Sequence, residues 1–412
     1  MSDSSAILVL VDPHGVPLGG LPALPIEYPW WKDMAEIVAG TRERHGIDVV
    51  VLRMLSANQS GPPGGAVTYL AEYAGPPIAG LTPVDVDPAR LRPHPLRMPW
   101  AEIGGPASAL AWADGVLAEY GHTVVARQQI RTWNLSSIWR IDTDHGPAWL
   151  KEVPPFMAHE GAVLRWLERR GWPTTPVPLG TDGRRLLLAD IPGTDRYDSA
   201  PDERIGMVTK LLDIQTDAMS RLGELSAIGV PTEYAIDLRT AAESHLPAWL
   251  AQSRLDDADR AVLTDLVGGL GDRLADVEAC GVPYTLVHGD FHPGNVRSDG
   301  VDQVIIDWGD SRIGHPVMDL LRMRDWPEGQ GDPVALMELW CVHWRRAVPG
   351  CDPERVIELV EPLVPLREAL IYDMFLRSIE PSERPYHDDD VPFGILTAIE
   401  RHRRVSKPAT HM

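Results

Sequence analysis

The stretch Val287-His288-Gly289-Asp290-Phe291-His292-Pro293-Gly294-Asn295, with Val304-Ile305-Ile306-Asp307-Trp308-Gly309 close behind it, decides how the chain is read. Ser298-Asp299-Gly300 between the two is turn chemistry, because Asp and Gly tolerate tight backbone dihedrals. Val296 on one side and residues 304–306 on the other read as two short strands joined by that turn. Folding about the turn brings Asn295 and Asp307 to the same open end. Asp290 lies five residues before Asn295, on a loop whose Gly and Pro exclude a helix interior. The expected rim therefore carries Asp290, Asn295 and Asp307. Two hard oxygen ligands and a spare carboxylate suit Mg²⁺ bridging phosphates, with a base beside it.

Working outward, residues 148–153 read as a strand holding Lys151, after two more strands at 124–131 and 137–142. A helix is expected from about Phe156 to Arg169, with Phe156, Val163, Leu164 and Leu167 on one stripe and Glu160 in register to reach Lys151. The loop Thr132-Trp133-Asn134-Leu135-Ser136 has no glycine-rich fingerprint, so Ser136 and Ser137 are candidate donors there, through hydroxyl and backbone, with a plain hairpin turn the alternative. Residues 186–190 are an apolar strand running into Pro192-Gly193.

His288-Gly289-Asp290-Phe291-His292 with Asn295, followed by Ile306-Asp307-Trp308, resembles the signature of the aminoglycoside phosphotransferase and choline kinase-like small-molecule kinases. The resemblance implies an α+β, bilobal protein-kinase-like fold, with a small antiparallel-sheet lobe and a helical large lobe. It implies Asp290 as the catalytic base, Asn295 and Asp307 as Mg²⁺ ligands, and ATP or GTP as co-substrate. Lys151 falls where the family's phosphate-anchoring lysine falls, with Glu160 as its partner. Asp190 and Ile191 fall at the hinge whose backbone meets the base of the nucleotide. Asp319 would hold the catalytic loop in shape, and His288 and His292 would brace it. The C-terminal helices line the acceptor pocket in such enzymes, so the acids of His387-Asp388-Asp389-Asp390, and Trp326, are candidate acceptor contacts, with a solvated loop the plainer reading of the acids.

A chain of 412 residues suggests two or three domains. The expected division is an accessory α/β domain at 1–95, a kinase-like N-lobe at 96–190 and a helical C-lobe at 191–412. Residues 1–95 follow a β-β-α-β-β order that faintly resembles the Nudix fold. The metal helix would be degenerate, since Glu43 stands nearly alone and Thr41 and Arg44 stand where acids are expected. Six prolines between 83 and 106 read as a stiff linker without helix. From 200 onward the pattern is helical, including one run from 355 to 377.

A net charge of −21 argues against nucleic acid or an anionic membrane as partner and is compatible with a cationic small molecule. Three scattered cysteines show no metal spacing and fit reduced thiols. The apolar run 6–11 is too short for a signal peptide, and nothing later approaches a membrane span, so the expected location is the cytoplasm. A homodimer through the N-terminal domain is compatible with this reading. A protein kinase is disfavoured, because only eleven residues separate Asp307 from Asp319, too few for an activation segment. A kinase-fold binding scaffold and a metabolic kinase of an amino alcohol or sugar stay open beside an antibiotic kinase, because acceptor pockets are not decoded by one sequence.

Overall fold

The computed structural model describes residues 4–84, 87–326 and 332–406. The chain divides into two compact units. The first gathers Met1–Gly161, Pro178–Asp190 and Met374–Asp389; the second gathers Ala162–Val177, Ile191–Asp373 and the chain from Asp390 onward.

The first unit holds two sheets. In one, β1 (Ser5–Val11) is flanked by β2 (Pro17–Gly20) and β3 (Leu24–Pro25); α1 (Ala35–His45), β4 (Val50–Ala57) and β5 (Ala66–Glu72) follow. Strand order is β2-β1-β5-β4, with β1 and β5 parallel and β3 pairing β1. Residues 6–11 form an unbroken apolar run because both faces of this sheet are covered. Leu8 and Leu10 pack with Met34 and Ile37 of the α1 side, whereas Val9 and Val11 pack with Leu52, Leu55, Leu91 and Ile103.

That second layer corrects the linker expectation. Proline is tolerated in a first helical turn, where the missing N–H has no partner to lose. Pro88 accordingly opens the short helix α2 (Pro88–Leu91), and Pro99 opens a single turn that ends at Ala101. Trp100 is fully buried and donates its Nε1–H to the Trp133 carbonyl, 3.0 Å away. Arg97 is buried in a two-armed pair with Glu380 at 2.7 and 2.8 Å.

The second sheet follows α3 (Gly105–Glu119). It is antiparallel, ordered β6-β7-β8-β10-β9, from β6 (Val124–Trp133), β7 (Ser136–Thr143), β8 (Gly146–Glu152), β9 (Pro178–Asp182) and β10 (Arg185–Ala189). Ala109, Ala113 and Leu117 of α3 cover one face, against Trp139, Ile141, Leu150 and Leu187. The helix expected from Phe156 starts later, as α4 (Glu160–Arg169), because Pro154 and Pro155 confine residues 155–157 to a separate single turn.

Glu383 is buried in this unit. Burial and the neighbouring Glu380 push its carboxyl up to about 8. An ordinary glutamate titrates near ~4.3, so between those values the folded chain keeps a proton that the unfolded chain has released, and stability falls as pH rises through that window. Glu383→Gln removes this titration. Its unfolding free energy is expected to exceed that of the parent by a margin that widens from pH 5 to pH 8, reaching about 1 kcal/mol or more. A constant margin across that range would contradict the assignment.

The second unit is helical. Its helices are α4 from Ala162 onward, α5 (Pro201–Ala218), α6 (Leu222–Ala227), α7 (Ala235–Leu250), α8 (Asp257–Gly268), α9 (Leu270–Ala279), α10 (Val317–Arg324), α11 (Pro333–Ala347), α12 (Pro353–Val360), α13 (Leu363–Ser378) and α14 (Asp390–Ser406); the first residues of α4 and the last residues of α13 count with the first unit. The run expected over 355–377 is two helices, broken at Pro362. Short strands sit among them: β11 (Thr194–Asp195), β12 (Thr285–Val287), β13 (Val296–Ser298), β14 (Gln303–Ile305) and β15 (Arg312–Gly314), paired as β11-β13-β14 and β12-β15. No helix among the described residues is long and apolar enough to cross a membrane.

Candidate active site

In the second unit β13 and β14 form the expected antiparallel hairpin, with Val296 opposite Ile305. The Ile306 N–H donates to the Asn295 carbonyl at 2.9 Å, so Asn295 and Asp307 flank its open end. Asn295 Nδ2 donates to the Asp290 carbonyl at 2.9 Å and to Asp290 Oδ2 at 3.2 Å. The amide nitrogen is thereby spent, and Oδ1 is the atom left for a cation. Asp307 has φ +64°, the one non-glycine residue with positive φ among the described residues. Such a conformation costs on the order of 1 kcal/mol and points from strain towards function.

The loop around Asp290 is fixed from several sides. Asp319, buried on α10, accepts the His288 N–H at 2.8 Å, the Gly289 N–H at 2.9 Å and Gln215 Nε2 at 2.9 Å. Gly289 has φ +89°, and a Cβ there would lie 2.2 Å from the Asp310 carbonyl oxygen, so no other residue fits. That explains glycine between His288 and Asp290. His288 is buried, donates Nε2–H to the Ile306 carbonyl at 2.8 Å, and burial lowers its pKa, which keeps it neutral. His292 Nδ1 accepts the Gly294 N–H at 3.0 Å, and its Nε2 lies 3.5 Å from Asp290 Oδ2. Both histidines brace the loop.

Two residues escaped the sequence reading. Arg322 Nε donates to Asp290 Oδ1 at 2.9 Å, with its guanidinium 4.9 Å from the Trp326 ring centre. Burial alone would raise the Asp290 carboxyl, but Arg322 and His292 outweigh it and hold it well below the ordinary carboxylate range. The side chain of Asp290 remains 35% exposed, enough for a substrate to reach it. The signal for Arg322 was its spacing, since three residues after Asp319 on a helix returns to the same face. Asp310 is the second: burial and the charges of Asp290 and Asp307 push it up to about 7. Trp326 lies 4.6 Å from the His292 ring and carries its carbonyl to Arg204.

All the nucleotide-side candidates except Ile191 belong to the first unit. Lys151 on β8 donates from Nζ to Glu160 Oε1 at 2.7 Å, both side chains being nearly buried. β7 pairs β8 with Ile138 opposite Lys151 and Ser137 opposite Glu152. Side chains alternate across a strand, so Ser136 shares the Lys151 face while Ser137 points to the α3 face. Ser137 Oγ is buried there without a hydrogen-bond partner, and Ser136 Oγ accepts Trp133 Nε1–H at 2.9 Å. Asp190 Oδ1 accepts Trp149 Nε1–H at 2.7 Å. The boundary between units falls between Asp190 and Ile191, whose carbonyl accepts from Arg297 Nε in the second unit.

The acidic cluster is split. His387 is buried in the first unit, Asp388 is exposed, and Asp390 opens α14 in the second. Among the described residues no three His, Cys, Asp or Glu side chains cluster as metal ligands. A Mg²⁺ site would instead use one carboxylate and one amide, Asp307 and Asn295, completed by phosphate and water oxygens, a donor set that suits a hard cation. On α1, Glu43 is exposed, while Glu36 is spent accepting the Glu27 and Tyr28 N–H groups.

The phosphotransferase enzyme family matches residues 128–347, more than half of the chain. A search of curated proteins gave no match. Among solved structures, a choline/ethanolamine kinase family protein from Mesorhizobium loti is similar at 15% identity and a TM-score of 0.50, over 73% of this chain and 98% of that one. A macrolide 2'-phosphotransferase from Brachybacterium faecium is 16% identical with a TM-score of 0.47, over 74% of this chain and 100% of the other. A putative aminoglycoside phosphotransferase from Ralstonia eutropha is 15% identical with a TM-score of 0.49, over 72% and 98%. The first of these likenesses carries the protein-kinase-like fold, a sheet-built N-terminal lobe and a helical C-terminal lobe. With the family matched across both, the chain belongs to the phosphotransferase enzyme family.

Proposed function

We propose that the protein transfers the γ-phosphoryl group of ATP or GTP to a hydroxyl of a small molecule, with Asp290 as the catalytic base. The observation that carries this reading is the Asp290 carboxylate, reachable, held ionised by Arg322 and tied to Asn295 at the open end of the hairpin that ends in Asp307. The acceptor oxygen bonds to the γ-phosphorus while the bond from that phosphorus to the β,γ-bridging oxygen breaks. The hydroxyl proton passes to Asp290, and the nucleoside diphosphate leaves. A carboxylate with so low a pKa is a weak base. It serves chiefly to orient the hydroxyl, because a loose transition state needs the proton removed only late.

Lys151, fixed by Glu160, supplies a point charge for the α and β phosphates, and Ser136 donates on the same face. Backbone groups at Asp190 and Ile191 form the nucleotide hinge. Asn295 Oδ1 and the Asp307 carboxylate would hold Mg²⁺, which would offset the charge of the phosphate oxygens. The reaction belongs in the cytoplasm, where ATP and GTP are abundant. The acceptor is a hydroxylated antibiotic, an aminoglycoside or an amino sugar, cationic acceptors being favoured by the charge of −21. Residues 1–95 are accessory to this chemistry.

Incubation with ATP or GTP and Mg²⁺ against a panel of aminoglycosides, other hydroxylated antibiotics and amino sugars is expected to add the mass of one phosphate to at least one compound. No gain with either nucleotide across the panel overturns the acceptor class. No gain there or with amino alcohols and simple sugars, and no hydrolysis of either nucleotide, overturns the enzyme reading in favour of a binding scaffold.

A further inference from the structure

The hairpin turn between β6 and β7 is the part of the first unit that a kinase-like fold directs at phosphates, and here it contains no glycine. A glycine-free turn in a small sheet, with β6 as its edge strand, would be expected at the surface. Instead Asn134 at its tip is 0% exposed. What covers it comes from both ends of the chain.

On one side, the segment preceding α1 pairs with the end of β6. The Thr132 N–H donates to the Lys32 carbonyl at 3.0 Å, the Met34 N–H donates to the Ile130 carbonyl at 2.9 Å, and Asp33 bridges Arg131. Gln129 is buried and makes a two-way contact with the Val51 backbone of β4, at 2.7 and 2.9 Å, while its Nε2 also reaches Thr132 Oγ1. On the other side, residues 374–389 leave their sequence neighbours and join the first unit. Asn134 Nδ2 donates to the Glu383 carbonyl at 3.3 Å, and Asn134 Oδ1 accepts from His387 Nε2 at 3.1 Å. The Tyr386 ring packs edge-on against both Trp31 and Trp133, each at 5.7 Å, and its hydroxyl donates to the Trp31 carbonyl at 3.0 Å. Trp100 closes the circle on the Trp133 carbonyl.

We propose that the N-terminal α/β sheet and residues 374–389 form an internal brace for the nucleotide loop, with Asn134 as the positioning residue through which both C-terminal contacts act. A glycine loop approaches phosphates by being pliable and lacking side chains. This loop reaches a fixed conformation by being gripped from outside. The ordering cost that a mobile loop meets when nucleotide binds is met here in folding, which raises nucleotide affinity. The accessory sheet is then part of the nucleotide machinery, and His387 serves the loop rather than the acceptor. The inference rests on the proposed function for the identity of the loop.

The test uses the full chain as Asn134→Ala, His387→Ala and His387→Gln, the last keeping an N–H donor at the ring-nitrogen position. Amide exchange over residues 130–137 is measured without nucleotide, and affinity is measured for ADP and GDP with Mg²⁺. N134A and H387A are expected to exchange about tenfold faster there. They are expected to bind the better diphosphate about tenfold more weakly, with H387Q close to the parent. Unchanged exchange in N134A, unchanged affinity despite faster exchange, or H387Q behaving like H387A overturns the brace. A parent chain that binds neither diphosphate overturns the proposed function instead, and is told apart by that result alone.

Discussion

Asp290→Asn is expected to lower kcat by about a thousandfold at saturating substrates while leaving diphosphate affinity within about threefold. The amide is the same size as the carboxylate and can keep the contact with Asn295, so the loop is not expected to move. What it loses is the proton acceptor and the negative charge against which Arg322 is set. Arg322 retains Glu368, 3.6 Å away, so its guanidinium is not left without a carboxylate. The pH profile separates the two carboxyls nearest the chemistry. Asp290 is held well below the ordinary range, so it stays ionised from pH 5 to 8 and contributes no acid limb there. Its contribution to stability is present above the unfolded value near ~3.9 and is lost as pH falls towards its lowered folded value. Asp310, pushed up to about 7, is the carboxyl that changes charge across neutrality. In the chain without Mg²⁺, a titration near pH 7 is therefore expected to disappear in Asp310→Asn. Retention of more than a tenth of parental kcat in D290N would remove Asp290 from the role of base.

The end of the β13–β14 hairpin was legible because it depends only on local rules: a turn at 298–300, strand periodicity on each side, and two glycines and a proline excluding helix before it. The Lys151–Glu160 pair was legible for a similar reason, a strand followed by a helix with few ways to pack. Ser137 was misjudged because the sequence does not reveal where a hairpin register begins, and one rung moves a side chain to the other face. Arg97 and Trp100 looked like linker because proline density speaks about the backbone and says nothing about what the intervening side chains bury against. The departure of residues 374–389 to the first unit was invisible. It is fixed by contacts such as Arg97 with Glu380 and Asn134 with His387, which join positions some 250 or more residues apart and leave no periodicity behind.

Asp319→Ala is expected to destabilise the second unit by roughly 3 kcal/mol or more and to lower the rate of the folded fraction by at least about a hundredfold. The argument starts from what would be orphaned. The carboxylate takes the His288 and Gly289 N–H groups and Gln215 Nε2, and Asp319 is 2% exposed, so no water replaces it cheaply. A buried donor left without an acceptor costs about 1–3 kcal/mol, and three are involved. The rate follows from the same bonds, because the two backbone N–H groups lie immediately before Asp290 and set the direction in which its side chain leaves the loop. Misplacement of a catalytic group by about 1 Å is enough for a hundredfold loss. Burial raises the Asp319 carboxyl above its ordinary value, with His288 and the loop N–H groups pulling it back down, so charge itself is not the main contribution. Asp319→Asn separates acceptor from charge: it keeps one oxygen for the loop and is expected to cost about half as much as the alanine change. Chemical unfolding of the three proteins, with the rate measured well below the transition, reads both effects. If D319A unfolds like the parent but is slow, the residue acts on the chemistry directly; if it is unstable yet fully active when folded, the two N–H bonds do not aim Asp290.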